Sequence, residues 1–292
     1  MSGQPSAGVL FNPALIDFVS AADHGLDHLA AIPDRCWLDH GIGATTRFEP
    51  LLAPTRLLEQ AAQRLPVVLH GIGLSICSAE VFDVEYLELL AAWRERLGCA
   101  WVSEHLSFTR IGGAHETNAA MALASPCDEE MIELLVPRLQ RARQILGVPL
   151  LLENAVYYTL WCDEEMSETV FLNRLTSESG CGLLLDLHNL YTNAHNHGFD
   201  ACDWIDALDT SAVREVHVAG GDLMHGMHTD SHAGPVYEGV WPLLEHLLPR
   251  APNLQAVTFE FHEASWPMLH ESGVRAQIAR MRDCIAAAHA PA

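Results

Sequence analysis

Short apolar runs rich in branched side chains alternate along this chain with longer stretches whose apolar residues recur at intervals of three and four. The runs are GVLFNP (8–13), HLAAIPD (28–34), PVVLHGIGLSI (66–76), CAWVSEHLSF (99–108), VPLLLENAV (148–156), CGLLLDLHNLY (181–191), VREVHVAGG (213–221) and LQAVTFEFHE (254–263). Between them TRLLEQAAQRL, VEYLELLAAWRERLG, DEEMIELLVPRLQRARQILG, GVWPLLEHLLPR and the terminal VRAQIARMRDCIAAAHA carry helical spacing. Apolar strands separated by helices predict βα units and a parallel sheet. Eight such units within 292 residues, with no linker or repeat between them, predict one domain over residues 1–292. The fold class is α/β, closed as a single (β/α)8 TIM barrel. A dinucleotide-binding sheet would need a G-x-G-x-x-G turn after an early strand, and none is present.

In such a barrel chemistry gathers at the C-terminal ends of the strands, so polar residues late in apolar runs are the ones to weigh. His70 ends the third run, His105 lies in the fourth and Glu153 in the fifth. Asp186 and His188 lie in the sixth, His217 in the seventh and Glu260 in the eighth. Asp186 and His188 are two apart, and strand pleating sends such a pair to one face. The loop GGDLMHGMHTDSHAGP adds a second pair with that spacing, Asp230 and His232, flanked by glycines that allow close backbone approach. Taken singly, a strand histidine is commonly a hydrogen-bonded core residue and a terminal carboxylate a helix cap. Together, four carboxylates and five imidazoles at one barrel mouth would repel and desolvate one another unless cations held them. Nine protein donors exceed what one ion takes, so two or three ions with bridging carboxylates are expected. The donors are all nitrogen and oxygen, which suits iron, manganese or zinc and argues against iron–sulfur chemistry.

Neighbouring residues carry weaker signals. Glu104 and Glu263 adjoin proposed ligands but point the other way across the pleat, which suits capping or ion pairing. His262 shares the face of Glu260 and is a candidate to orient a ligand. Asn154, Asn189, Asn193 and His195 cluster after the fifth and sixth runs as candidate substrate contacts, although caps and turns explain asparagine equally well. His225 and His228 fall in the glycine-rich loop, as exposed or lid residues. The acidic run at 128–130 reads as favourable charge at a helix start. No acid, base or nucleophile is assigned beyond the metal cluster.

Charge narrows the partners. Lys plus Arg number 16 against 38 Asp plus Glu, a formal charge of -22, which repels phosphate backbones and anionic membranes. The amino terminus lacks a basic segment followed by an apolar run, and no stretch is long and apolar enough to span a bilayer, so a cytoplasmic location is expected. The eight cysteines, Cys36, Cys77, Cys99, Cys127, Cys162, Cys181, Cys202 and Cys284, are scattered without a C-x-x-C pair and read as reduced thiols. Cys77 and Cys181 lie near the polar strands, but nothing marks either as a nucleophile.

The segments HGIGLS, SEHLSF, LLLENA, DLHN, EVHVAGG, DSH and FEFHE, in this order between residues 66 and 263, resemble the multinuclear non-heme iron-dependent oxidative enzyme family. That family includes the methanobactin-biosynthesis oxidase and the 3-thiaglutamate-pathway enzyme that excises a cysteine β-carbon. The resemblance implies a xylose-isomerase-like barrel holding two or three mixed-valent irons, with dioxygen as co-substrate. It implies oxidative modification of a cysteine in a ribosomally synthesised precursor peptide, by β-carbon excision or by oxazolone and thioamide formation. The implied ligands fall on His70, His105, Glu153, Asp186, His217, Asp230, His232 and Glu260, with His188 or Asn189 taking the place after Asp186. It also implies a separate protein that captures the leader peptide, since the barrel uses nearly the whole chain. Residue chemistry leaves a xylose-isomerase-like divalent-metal isomerase or hydrolase as the alternative. An endonuclease would need a basic groove, and a non-catalytic scaffold would not need nine donors.

Overall fold

The computed structural model describes residues 4–112, 117–161 and 165–290. Eight parallel strands close into a barrel: β1 (Ser6–Leu10), β2 (His28–Ala31), β3 (Val67–Gly71), β4 (Val102–His105), β5 (Leu150–Glu153), β6 (Gly182–Asp186), β7 (Val213–Ala219) and β8 (Ala256–Glu260). Each strand pairs with its neighbours in chain order, and β8 returns to β1 with Ala256 opposite Ser6. Strands β5 and β6 are buried at every position, as expected for strands covered on both faces. Trp101, Leu151, Leu184 and Ala256 fill part of the barrel interior, while a larger apolar layer joins the barrel wall to the helices.

The helices are α1 (Ile16–Ser20), α2 (Leu52–Ala62), α3 (Val84–Leu97), α4 (Glu129–Leu146), α5 (Glu168–Ser179), α6 (Leu187–His197), α7 (Ala201–Ala207), α8 (Val240–Leu247) and α9 (Trp266–Ala288). Their ends follow local chemistry. Asp83, Asp128, Ser167 and Asp186 cap the starts of α3 to α6, each side chain accepting a backbone N–H three residues on. The acidic run at 128–130 is this kind of start. Gly98, Gly147, Gly180 and Gly198 adopt left-handed φ and end the same four helices.

Every strand stops short of the end of its apolar run, and at two of them the local chemistry of the stop bears on the candidate site. The sixth stops at Asp186, because the Asp186 carboxylate accepts the Asn189 N–H at 2.7 Å and so begins α6. Pleating therefore does not relate Asp186 to His188, which lies in the first turn of a helix. The fourth stops at His105, and Ser107–Ile111 instead pairs antiparallel with Thr117–Ala124. Two further hairpins, Trp37–Asp39 with Phe48–Pro50 and Asp222–Met224 with Met227–Thr229, stand outside the barrel.

Buried ion pairs fasten two of these outer segments to α3. Arg47 donates to Asp83 at 2.8 Å and to Asp39 at 3.1 Å, and Arg110 reaches both carboxylates. Cys36, Cys77, Cys99, Cys181, Cys202 and Cys284 are free thiols, whereas Cys162 lies outside the described residues. Among the described residues no helix is long and apolar enough to cross a membrane.

Candidate metal centre

The strand ends bring together two sets of donor atoms that share one residue. His70, His105 and Glu153 form the first, and Glu153, Asp186, His217 and Glu260 the second; within each the donor atoms lie within 4.8 Å of one another. Glu153 Oε2 is 3.5 Å from His70 Nε2 and 3.1 Å from His105 Nε2, while Glu153 Oε1 is 3.6 Å from His217 Nδ1. His217 Nδ1 is also 3.0 Å from Glu260 Oε2. The glycine-rich loop delivers His232, whose ring nitrogens lie 2.6 Å from Asp230 and 3.1 Å from the other Glu260 oxygen. His232 holds φ 49°, a left-handed conformation uncommon for a side chain of this size. Seven of the candidate ligands named from sequence thus lie within one chain of contacts through Glu153 and Glu260, and Asp186 belongs to it through the second donor set.

His188 stands apart from both sets. Its Nε2 is 3.3 Å from the Thr229 carbonyl and 4.0 Å from Asp230, and its ring packs on Tyr237. The loop comes this close because of Gly221, where an added Cβ would lie 2.2 Å from the Thr229 carbonyl and 2.8 Å from His188 Nε2. The asparagines clamp backbone. Asn154 pairs with the Asp186 backbone through its carbonyl oxygen and its amide, at 2.8 and 3.0 Å, Asn189 donates to the Asn154 carbonyl, and Asn193 holds Ala155 and Tyr157. Asn189 keeps its own buried Oδ1 without a partner. His262 caps the turn at Ala264 with its ring while its N–H holds the His232 carbonyl. His195 is exposed and stacks on Tyr191 beside His228, over an outer cavity of about 530 Å³ that also touches Cys202.

Comparison with known proteins decides the lineage. Residues 22–284 match the model of the RiPP precursor modification enzyme family MbnB/TglH/ChrH. The chain belongs to this family. It is 35% identical over 231 residues to a UPF0276 protein of Acaryochloris marina, covering 78% of this chain and 79% of that one. To a UPF0276 protein of Neisseria meningitidis it is 29% identical over 270 residues, 91% and 90% of the two chains. Among solved structures it is similar to the IolI protein with a bound zinc atom, at TM-score 0.59 and 13% identity over 98% of this chain and 100% of that one. It is also similar to D-psicose 3-epimerase of Clostridium cellulolyticum, at TM-score 0.59 and 11% identity over 94% and 99%. At such identities these two show the xylose-isomerase-like barrel alone.

The electrostatics of this family member's site fit a cationic occupant. Burial pushes the Glu153 carboxyl well above the usual carboxylate range and Asp186 up to about 7. Burial lowers His70 and His105, and takes His188 down to about 4. At His232 burial is outweighed by Glu260 and Asp230, which push it up to about 10. At His217 burial is outweighed by the facing carboxylates of Glu215 and Glu260, which hold it well above its ordinary value. Glu153 Oε2 and Asp186 Oδ2 are buried without a hydrogen-bond partner, as atoms that face a shared cation would be. The cluster fits a metal cofactor.

Two supporting carboxylates escaped the sequence reading of roles. Glu104, expected as a cap or ion-pair partner, is 1% exposed and accepts the N–H groups of Leu74 and His105 at 2.9 and 3.0 Å. With Tyr86 and Asp34 it grips three successive N–H groups, those of residues 72 to 74, beginning two residues after His70. Burial pushes Glu104 up to about 8. Glu215 was missed outright, although it precedes His217 by two residues in a true strand, the spacing that places both on one face.

Proposed function

We propose that this chain uses two or three irons and dioxygen to modify a cysteine of a ribosomally made precursor peptide, by β-carbon excision or oxazolone and thioamide formation. The observation that carries the reading is Glu153, one buried carboxylate held in common by two donor sets. A single ion would not need both sets, whereas a bridging carboxylate is how neighbouring ions share charge. His70, His105 and Glu153 would hold one ion, Glu153, Asp186, His217 and Glu260 a second, and Asp230, His232 and Glu260 the position for a third. Iron so bound supplies the capacity to bind a thiolate and to activate dioxygen.

The protein's own side chains set the direction of approach. His70, Glu153, Asp186 and His217 are at most 2% exposed, while the side chains of His105, Asp230 and His232 are 23 to 29% exposed. The peptide therefore meets the centre from the His105, Asp230 and His232 side. Asn154 and Asn189 keep the Asp186 backbone fixed, and Glu104 keeps His105 in place as the cysteine binds. A chain with 38 acidic and 16 basic residues favours a basic leader or a basic leader-binding partner, held as a heterodimer in the cytoplasm.

Metal analysis with Mössbauer and EPR spectroscopy, on protein from iron-supplemented cells purified without chelator, tests this reading. Two or three irons per chain with a mixed-valent signal, and an oxygen-dependent mass change in the precursor's cysteine, are expected. One zinc or manganese per chain with oxygen-indifferent activity would overturn it in favour of isomerase-like chemistry.

A further inference from the structure

A second polar layer lies inside the barrel, built from four strands and reaching the metal centre through β7. Its middle is Glu215, with no exposed surface. Trp101 Nε1–H donates to Glu215 Oε2 at 2.7 Å and the Thr258 hydroxyl donates to Oε1 at 2.8 Å. Thr258 Oγ1 lies 3.0 Å from His28 Nε2, and His28 Nδ1 lies 3.0 Å from the Ser6 hydroxyl. Gly8 makes room for that imidazole, since an added Cβ would sit 2.4 Å from its ring. Among the described residues no arginine pairs with Glu215, and the donors nearest its carboxylate are the neutral side chains of Trp101 and Thr258, a buried arrangement in which each unused acceptor site is costly.

A further acceptor direction of the carboxylate faces a proposed ligand. Glu215 Oε1 is 3.4 Å from His217 Nε2, which is buried and has no hydrogen-bond partner apart from this long contact. The other nitrogen of the same ring, Nδ1, faces Glu260 at 3.0 Å and Glu153 at 3.6 Å. The imidazole is thus spanned between the inner layer and the donor cluster.

We propose that Glu215 is a positioning residue for the metal centre, accepting the His217 Nε2–H so that Nδ1 is the nitrogen offered to metal. A ring nitrogen that keeps its proton cannot ligate, so the acceptor behind the ring decides which nitrogen does. Trp101 and Thr258 each give their one proton to the carboxylate and fix its plane. The inference rests on reading the donor cluster as a metal centre.

The test loads the full chain anaerobically with ferrous iron or with cobalt(II), for wild type, Glu215→Gln and Trp101→Phe. Metal stoichiometry, dissociation constant and the cobalt electronic spectrum are measured, alongside melting of each metal-free protein. Glu215→Gln should weaken binding at one ion on the order of 10- to 100-fold and shift the cobalt bands, while the metal-free protein still melts cooperatively. Trp101→Phe should move both readouts in the same direction by less. Wild-type affinity and an unchanged spectrum in Glu215→Gln would overturn the proposal. Should that variant not fold, unchanged affinity and bands in Trp101→Phe would overturn it equally. Wild type that binds no metal would instead overturn the reading of the cluster itself.

Discussion

Glu153 differs from its neighbours in belonging to both donor sets, and that sharing makes its loss distinguishable from theirs. Replacing His105, a member of one set with a partly exposed ring, should lower metal content by about one ion per chain and leave the rest bound. Glu153→Gln should empty both sets, because an amide has neither the charge nor the second equivalent oxygen to bridge. Metal analysis of the two variants after identical anaerobic loading checks this, and equal losses would contradict a shared carboxylate. Backbone position matters at this scale too. Gly221→Ala places a methyl group against the Thr229 carbonyl and His188, so the loop bearing Asp230 and His232 must shift. Weaker retention of metal, read as faster loss to chelator, is the expected consequence.

At the scale of elements, buried ion pairs tie the outer segments to the start of α3. The Asp83 side chain is 2% exposed and pairs with Arg47 and Arg110, so Asp83→Asn leaves two buried guanidinium groups short of charge. Breaking such a pair destabilises by roughly 3 kcal/mol. Burial alone would raise the Asp83 carboxyl, but Arg47 chief among its partners holds it below its ordinary value of 3.8. A depressed carboxyl contributes stability above the unfolded value and loses it as pH falls through the folded one. Thermal melts between pH 7 and pH 2 should therefore show wild type well above Asp83→Asn at neutral pH, the gap closing only below about pH 4. Elements were legible in the sequence where burial alone decided them. All eight strands and five of the helices carry apolar spacing, although each strand stops two to five residues before its run does. The end of β6 was not legible, because LLLDLHNLY stays apolar while a side-chain cap at Asp186 turns strand into helix. Asn154 and Asn193 stayed open between substrate contact and cap or turn for a related reason, since the backbone groups they clamp lie 32 to 38 residues away in sequence. Glu215 was legible in principle, because its spacing from His217 is the one already applied to Asp186 and His188.

For the whole molecule, a formal charge of -22 on 292 residues means mutual repulsion across a surface that the fold must hold together. Screening shortens the reach of that repulsion to about 8 Å at physiological salt. The melting temperature should rise when sodium chloride is raised from ~10 mM to ~150 mM, a change seen by calorimetry, and a fall would show that attractive surface pairs dominate instead. The same screening should weaken capture of a basic peptide, which separates long-range attraction from contacts at the metal centre. The thiols carry a different consequence. Burial pushes Cys77 up to about 12 and Cys181 up to about 11, and Cys36, Cys99 and Cys284 are also raised by burial. Under the proposed reaction an enzyme that oxidises a thiolate would be endangered by its own, and these five are buried, with burial favouring the less reactive thiol form. On that reading solvation, and not shape, would separate the cysteine the barrel is brought from the cysteines it is made of.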